Sequence, residues 1–165
     1  MENIVDYDNF QTPQHVCDYM VGVLKSYPSS GTWRTILEPT PGRGNIVNVL
    51  KFFPEWKVVI PDKDFWEPVI QNNKYDAIIG NPPFTPMKIA YEILFRCMEM
   101  SDIVIMIVPW LTLINSDKRI KYIMEYGLRS GIHLPRSTFK GARIQSCILN
   151  LDKHYYGRTD FTYIN

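Results

Sequence analysis

Residues 78–84, IIGNPPF, place an amide, two prolines and an aromatic ring at the end of an apolar run. Consecutive prolines have no backbone N–H and restrict the residue before each of them, so the segment fits neither a helix nor the interior of a sheet. The segment is therefore stiff, and it holds the Asn81 amide, the carbonyls that follow it and the Phe84 ring in fixed relative positions. The rest of the chain must indicate what these groups bind.

A second unusual turn, residues 38–44 (EPTPGRG), follows an earlier apolar strand and leads into a helix. Its glycines allow the backbone to approach a ligand closely, and the start of the helix presents free N–H groups. This composition could bind a phosphate, but the turn has neither the lysine of a P-loop nor the complete GxGxxG pattern. Taken alone, the turn favours a structural role over a binding role.

Two carboxylates follow the next strand. Asp62 comes 18 residues after Gly44, close to the spacing of about 20 residues at which Rossmann-like sites place a carboxylate on ribose hydroxyl groups. Asp64 and Phe65 follow at once. An aspartate in a turn is most often a solvated surface residue, so the order of all these motifs along the chain, more than either carboxylate, indicates a site.

Strands and helices alternate along the chain and determine where these turns lie. Thr12 as N-cap and Pro13 as the first helical residue predict the start of a helix. The later segments predict strands in residues 32–39, 56–62, 75–84, 102–110, 129–135 and 146–152, and helices in residues 45–53, 86–100 and 117–127. The tail alternates polar and apolar residues and could add an edge strand.

The central strands are apolar throughout, which predicts an α/β fold with a parallel sheet covered by helices on both faces. Ligands of such sheets bind beyond the carboxyl ends of the strands, at the point where the strand order reverses. Both unusual turns follow apolar strands, so we expect them to share one crevice.

The chain has 165 residues, 45% of them hydrophobic and 21% charged, which is typical of one globular domain over residues 1–165. Cys17, Cys97 and Cys147 lie far apart without a CxxC pair, and they predict free thiols in a reducing cytoplasm rather than disulfides or a metal site. The longest apolar run, 12 residues, is too short to span a bilayer. We therefore expect a cytoplasmic protein that does not contact a membrane.

The net charge of +1 is unevenly distributed, with −3 over residues 1–100 and +4 over residues 101–165. The basic second part could face phosphate groups. A solvated surface of mixed charge explains the same numbers equally well.

The order of the motifs resembles that of the gamma class of adenine-specific amino-methyltransferases, which use S-adenosylmethionine (SAM), over about residues 11–152. The segments that carry the resemblance are QTPQHVCDYM, LEPTPGRGN, DFWEP, YDAIIGNPPF, IVPW and LPRSTFKGARIQSCILNL. The resemblance implies the Rossmann-like fold of class I SAM-dependent methyltransferases, with a mostly parallel sheet. It also implies SAM as cofactor and the amino group of adenine in nucleic acid as substrate.

The resemblance implies roles for individual residues as well. Thr12 and Pro13 would brace the methionine end of SAM, Asp62 would accept hydrogen bonds from the ribose, and Asp64 from the adenine of the cofactor. The complete set of cofactor-binding residues implied is Thr12, Pro13, Glu38, Pro39, Gly42, Gly44, Asp62, Asp64 and Phe65.

The catalytic residues implied are Asn81, Pro82, Pro83 and Phe84. Phe84 would stack on the target base, and Phe139 resembles a second aromatic contact to that base. Basic residues flank Phe139 at positions 136, 140 and 143. A phenylalanine of the core is an equally good interpretation of Phe139.

The chain departs from the family pattern in two places. Pro41 stands where the family usually has a small residue, and it removes one backbone N–H from the turn. Only Lys63 separates Asp62 from Asp64, where the family places a helix and a further strand. The sheet should therefore be shortened between the second and fourth strands, and either carboxylate could serve alone.

Three functions remain open from the sequence. The first is a small adenine methyltransferase of nucleic acid, DNA being favoured over RNA, which is phage-encoded or guided by a partner subunit. The second is an enzyme that acts on RNA or on a glutamine side-chain amide, and the third is a non-catalytic SAM-fold subunit that supports a partner. The shortened sheet leaves an edge uncovered, which predicts a homodimer or a hetero-complex.

Overall fold

The structure of the protein is a computed structural model, and it describes residues 10–164. Within that range the helices are α1 (Gln14–Lys25), α2 (Asn45–Leu50), α3 (Pro68–Gln71), α4 (Met87–Met100), α5 (Leu111–Ile114) and α6 (Asp117–Tyr126). The strands are β1 (Thr35–Leu37), β2 (Lys57–Val59), β3 (Ala77–Gly80), β4 (Ile103–Pro109), β5 (Leu128–Leu134), β6 (Ser146–Asp152) and β7 (Asp160–Tyr163). Each predicted strand and helix has a counterpart, and α3 and α5 are additional short helices in segments for which no helix or strand was predicted.

The strands form one seven-stranded sheet in the order β2-β1-β3-β4-β6-β5-β7. Strand β6 runs antiparallel to both of its neighbours, and the remaining strands all run in one direction. This confirms the predicted α/β fold with a mostly parallel sheet. The tail adds β7 as an edge strand, parallel to β5.

Two apolar clusters cover the two faces of the sheet. One packs α1 and α2 against residues such as Ile36 and Ile79, and the other packs α4 and α6 against Leu37 and Ile78. Neighbours in a strand point to opposite faces, so a strand that is buried on both sides must be apolar at every position. None of the helices in the described range is long and apolar enough to cross a membrane.

The sheet is shortened where the sequence predicted. Among residues 10–164, strand β2 is an edge strand that pairs with β1 alone. Residues 60–76 lead from β2 to β3, on the other side of β1, without forming another strand. The Asp76 carboxylate then accepts hydrogen bonds from the backbone N–H groups of Arg34 (2.7 Å) and Thr35 (2.8 Å). These bonds lower the pKa of Asp76, against the effect of its partial burial, and they connect the beginnings of β1 and β3.

The start of α1 differs from the prediction. Pro13, not Thr12, is the N-cap, and it makes no side-chain capping bond. The carbonyl of Pro13 accepts the first helical hydrogen bonds, from the N–H groups of Val16 and Cys17. The Thr12 hydroxyl is not used for capping because it binds a side chain after β3, as described below.

Candidate active site

A cavity of about 870 Å³ lies beyond the carboxyl ends of β1, β2 and β3. Both unusual turns contribute to its wall, as the sequence predicted. The predicted site residues that line it are Thr12, Glu38, Pro39, Gly42, Asp62, Asp64, Phe65, Asn81, Pro82, Pro83, Phe84 and Phe139. Pro13 and Gly44 are not among the lining residues.

The Asn81 side chain is held from its nitrogen. Its Nδ2 donates to the Phe10 carbonyl oxygen at 3.0 Å and to the Thr12 hydroxyl at 3.1 Å. Thr12 is itself buried, and its carbonyl oxygen accepts a hydrogen bond from Asn45 Nδ2 at 2.9 Å. Both hydrogens of the Asn81 amide are therefore used, which leaves Oδ1 as the group available to a ligand.

The Pro82 carbonyl is a second acceptor beside Asn81. Within residues 10–164, neither this carbonyl nor Asn81 Oδ1 accepts a hydrogen bond. Pro82 is buried and Phe84 is half-buried, packed against the α1–α2 side of the core. The corner thus presents two fixed acceptors and one ring to the cavity.

Glu38 lies at the end of β1 and is only 1% exposed. Its Oε1 accepts a hydrogen bond from the backbone N–H of Thr40 at 2.9 Å. Burial raises the pKa of Glu38 to about 8, because removal from water disfavours the charged carboxylate, while the hydrogen bond from the Thr40 N–H acts in the opposite direction. An acid of this kind is neutral below that pH and becomes charged when a cation approaches it.

The glycine turn has a left-handed backbone, with φ of 49° at Gly42 and 81° at Gly44. The Gly44 N–H donates to the Pro41 carbonyl at 2.7 Å, so that N–H is used inside the turn. Gln11 covers the other side. Its Oε1 accepts a hydrogen bond from the Arg43 N–H at 3.0 Å, and its amide nitrogen lies 3.0 Å from where a Cβ on Gly42 would be. A side chain at position 42 would therefore displace Gln11.

Asp62 and Asp64 differ in how their carboxylates are used. Asp64 Oδ1 accepts a hydrogen bond from the Trp66 N–H at 2.7 Å, whereas the Asp62 carboxylate has no partner within residues 10–164. The loop is held by Glu67, whose carboxylate accepts from the N–H groups of Lys63 and Asp64. These bonds lower the pKa of Glu67.

Two adjacent aromatic residues close this side of the cavity. Phe65 is 3% exposed and packs in the α4–α6 cluster, and Trp66 is 48% exposed. Their ring centroids are 4.9 Å apart, with the planes inclined at 64°. Trp66 lies in the quoted DFWEP segment, but only the structure shows that it lines the cavity.

Phe139 belongs to the core and to the cavity wall at once. It is 6% exposed, and its ring meets the half-exposed ring of Phe10 edge to face, at 6.5 Å between centroids. Arg143 and Ile144, from the same loop between β5 and β6, also line the cavity.

Sequence reasoning missed Phe10, Gln11, Asn45 and Glu67. Phe10 and Gln11 precede the Thr-Pro motif, and their partners lie in other motifs far along the chain. No local pattern in the sequence indicates such contacts. Glu67 could have been found, because a carboxylate three or four residues after an exposed turn can bind the N–H groups of that turn.

No protein-family model matches the sequence, and no curated protein matches it in sequence. Solved structures do match it in fold. A candidate class I SAM-dependent methyltransferase from Listeria monocytogenes superposes with a TM-score of 0.69 at 15% identity, over 100% of this chain and 68% of the other. The modification subunit of a candidate type I restriction enzyme from Vibrio vulnificus YJ016 gives 0.71 at 19% identity, over 98% of this chain.

A candidate RNA methyltransferase from Pyrococcus horikoshii superposes with a TM-score of 0.59 at 19% identity, over 92% of this chain and 90% of the other. The protein spans about half the length of the type I modification subunits that it matches, 48% of the Vibrio subunit. At these identities the similarity establishes the architecture. Class I methyltransferases of this architecture use SAM, and the protein has their Rossmann-like fold.

Proposed function

We propose that the protein is a gamma-class SAM-dependent methyltransferase that transfers a methyl group to the exocyclic amino group of adenine in nucleic acid, with DNA as the favoured substrate. The observation that carries this proposal is the single cavity that joins the Asn81–Phe84 corner to the glycine turn and Asp62. A methyl donor and a planar amino group would have to meet in such a space.

The residues present fit SAM. The volume of about 870 Å³ lies toward the upper end of the roughly 300–1,000 Å³ of small-molecule sites, so it has room for a cofactor and a base together. Asp62 offers an unpartnered carboxylate to ribose hydroxyl groups. Phe65 and Trp66 offer apolar surface to an adenine ring, and the backbone of the Gly42 turn is open to close approach.

Glu38 fits the other end of the cofactor. Its neutral carboxyl would ionise beside the ammonium group of the methionine portion, because a nearby positive charge favours the carboxylate. Thr12 and Pro39 would line this end of the cavity, and Pro13 and the Gly44 backbone would support it from behind the cavity wall.

Bound SAM supplies an electrophilic methyl group on a positively charged sulfur. The protein positions the amine: Asn81 Oδ1 and the Pro82 carbonyl would accept its two hydrogens. The nitrogen would then become pyramidal and direct its lone pair along the line of displacement. SAM bound in this cavity would supply its methyl group in a displacement by the amine nitrogen, which Asn81 Oδ1 and the Pro82 carbonyl would hold in line. The S–C bonding electrons would stay with the sulfur, and the nitrogen would lose one proton to solvent.

Positioning and fixed dipoles would supply most of the acceleration. Pro82 and Pro83 keep the acceptors rigid, so little reorganisation is needed as charge develops on the nitrogen. Phe84 would stack on the target base, an interaction worth about 1–3 kcal/mol, with Phe139 as a second aromatic contact. In duplex DNA the base would first have to be flipped out of the helix.

We further propose that a second copy or a partner subunit completes the target recognition. Strand β2 has a single neighbour in the described part of the chain, and Ile60, Trp66 and Val69 beside it are exposed. A partner on this side would cover an open sheet edge. Light scattering at high protein concentration tests this, and a monomer there would contradict the homodimer.

Transfer of labelled methyl groups from SAM tests the function. Duplex DNA, single-stranded DNA, RNA and cell extract are offered in parallel, with Asn81→Ala as the control, and calorimetry measures SAM binding. Labelling of adenine in nucleic acid that Asn81→Ala loses would support the proposal. Labelling of protein only would favour the glutamine-amide activity, and absence of SAM binding would favour the non-catalytic subunit.

A further inference from the structure

A group of aromatic side chains lies outside the cavity, on the part of the sheet farthest from β2. Trp110 follows β4, and its ring lies 5.9 Å from the His133 ring and 6.0 Å from the Phe161 ring, with planes inclined at 31° and 34°. Trp110 Nε1 donates to His133 Nδ1 at 2.8 Å. We call Trp110, His133, Phe161 and Tyr163 the aromatic ledge.

The register of the sheet explains why these side chains share one face. Phe161 pairs with Gly131, and Tyr163 pairs with His133. Residues two apart in a strand point to the same side, so Phe161 and Tyr163 lie on the face of Gly131 and His133. A Cβ at Gly131 would lie 2.6 Å from a carbon of the Phe161 ring, so a side chain at this position would displace that ring.

The ledge has a fixed inner part and an open outer part. Trp110 and His133 are partly buried and hydrogen-bonded to each other. Phe161 and Tyr163 are 59% and 70% exposed, although both rings sit on a strand held in register by the sheet. Rings that served only to pack would be covered, so the exposed faces suit a ligand with flat rings of its own.

Free positive charge lies between the ledge and the cavity. The loop from β5 to β6 begins two residues after His133 and carries Arg136, Lys140 and Arg143. None of these three side chains has an ion pair, hydrogen bond or ring contact within the described range 10–164. Arg143 also lines the cavity, so the loop connects the two regions.

We propose that the aromatic ledge binds bases of single-stranded nucleic acid that flank the target adenine, while the loop cations bind the phosphates between them. This rests on the proposed function and specifies its substrate. Stacking on aromatic side chains beside a cationic track is how proteins bind single strands with little sequence preference. Four strand spacings separate β3 from β7, about 20 Å, so the stacked bases lie several nucleotides from the target.

The test uses the full chain and labelled single strands that contain one adenine, as DNA and as RNA, with short or long flanks. We expect long flanks to bind more tightly than short ones to the wild type. The double variant Phe161→Leu with Tyr163→Leu keeps apolar bulk on β7 but removes the rings. It should bind the long strands about tenfold more weakly and the short strands unchanged.

The matched control replaces a phenylalanine and a tyrosine outside the ledge, Phe52→Leu after α2 and Tyr156→Leu in the loop before β7, which are 81% and 89% exposed. This variant should bind all strands like the wild type. Equal weakening by the two double variants would overturn the proposal, since it would indicate a general surface effect. So would a ledge variant that binds long strands normally.

Photocrosslinking of the wild type tests the ledge without relying on a variant's folding. 5-Iodouracil placed at successive flanking positions should crosslink to Trp110, Phe161 or Tyr163 from positions several nucleotides away from the adenine. Crosslinks confined to Phe84 and Phe139, or a ledge variant that turns a dimer into a monomer without changing strand binding, would contradict the proposal. Absence of SAM binding with intact ledge crosslinks would instead contradict only the proposed methyl transfer.

Discussion

Two walls of the same cavity differ in the origin of their hydrogen bonds, which come from distant residues in one and from sequence neighbours in the other. The Asn81 corner is held by Phe10 and Thr12, about 70 residues earlier in the chain. The loop of Asp62 and Asp64 is held by its sequence neighbours, Glu67 and Trp66, within four residues. The corner's side chain is thus oriented only when α1 is packed on the sheet, whereas the loop forms its own hydrogen bonds.

This difference explains why the chain can pass from β2 to β3 without a further strand. A loop that satisfies its backbone N–H groups locally does not need a neighbouring strand to pair with. The two carboxylates differ as a result, because Asp64 accepts a hydrogen bond from within the loop and Asp62 does not. We therefore propose that Asp62 binds the ribose. The four experiments that follow test this contrast, from the largest expected effect to the smallest.

Asn81→Ala removes the oriented acceptor of the corner. We expect methyl transfer to fall by about a hundredfold to a thousandfold, the size of effect seen when one preorganised hydrogen-bonding group is deleted from an active site. SAM affinity should stay within about a few-fold, since Asn81 would contact the amine and not the cofactor. Loss of SAM binding in place of turnover would refute the role assigned to Asn81.

Glu38 also lines this cavity, and its burial makes the free energy of unfolding depend on pH. The pKa is raised from 4.5 to about 8 in the folded chain, so the folded protein keeps a proton that the unfolded chain releases. The contribution of this neutral carboxyl to the free energy of unfolding is therefore fully present below about pH 4.5. It is lost as the pH rises through about 8. The free energy of unfolding lost over this pH range amounts to a few kcal/mol, on the order of 1.4 kcal/mol per pKa unit.

Glu38→Gln should remove this part of the pH dependence, because an amide of similar shape does not titrate. Urea unfolding of wild type and variant between pH 5 and 8.5 gives the free energies to compare. A difference between the two proteins that stays constant over this range would show that Glu38 is already ionised in the folded state.

Asp62→Ala and Asp64→Ala separate the two carboxylates of the self-supported loop. Asp62→Ala removes the carboxylate that would accept hydrogen bonds from the ribose hydroxyl groups, and it should weaken SAM binding about tenfold to a hundredfold. Asp64→Ala should weaken it less and should mainly loosen the turn to Trp66. Calorimetry with SAM compares them, and a larger loss in Asp64→Ala would reverse our assignment of the ribose.

Thr12→Val tests the long-range support of the corner. Valine has nearly the shape of threonine but cannot accept the Asn81 hydrogen bond, so turnover should fall about fivefold to tenfold while SAM affinity stays unchanged. Thr12→Ser keeps the hydroxyl and should restore turnover. If Thr12→Val weakens SAM binding and leaves turnover intact, Thr12 braces the cofactor, as the family resemblance implies, and does not position Asn81.

Local sequence patterns were sufficient to predict the sheet and the two turns that position the site. Apolar runs such as residues 103–108 are buried on both faces of a parallel sheet, and no other arrangement covers them, so their alternation with helices predicted the sheet. The two proline-rich and glycine-rich turns follow such runs, and strands that run in one direction bring their ends to one edge. The shared cavity follows from that rule.

The first helix shows where local patterns fail. Thr-Pro is a standard start signal, yet Pro13 is the N-cap, because the Thr12 hydroxyl makes a hydrogen bond with a residue that is distant in sequence. The tail shows the same limit. Alternation predicted an additional strand, but the pairing of Phe161 with Gly131, which creates the aromatic ledge, depends on a partner strand that the tail's own residues do not specify.

The order of strands, the apolar faces and the stiffness of the Asn-Pro-Pro-Phe turn follow from residue types and their spacing, because these properties depend on each residue and its near neighbours. The orientation of the Asn81 amide, the different use of Asp62 and Asp64, and the grouping of four rings beyond the cavity come from packing. Each of these depends on hydrogen bonds or contacts between segments that meet only after the sheet has formed.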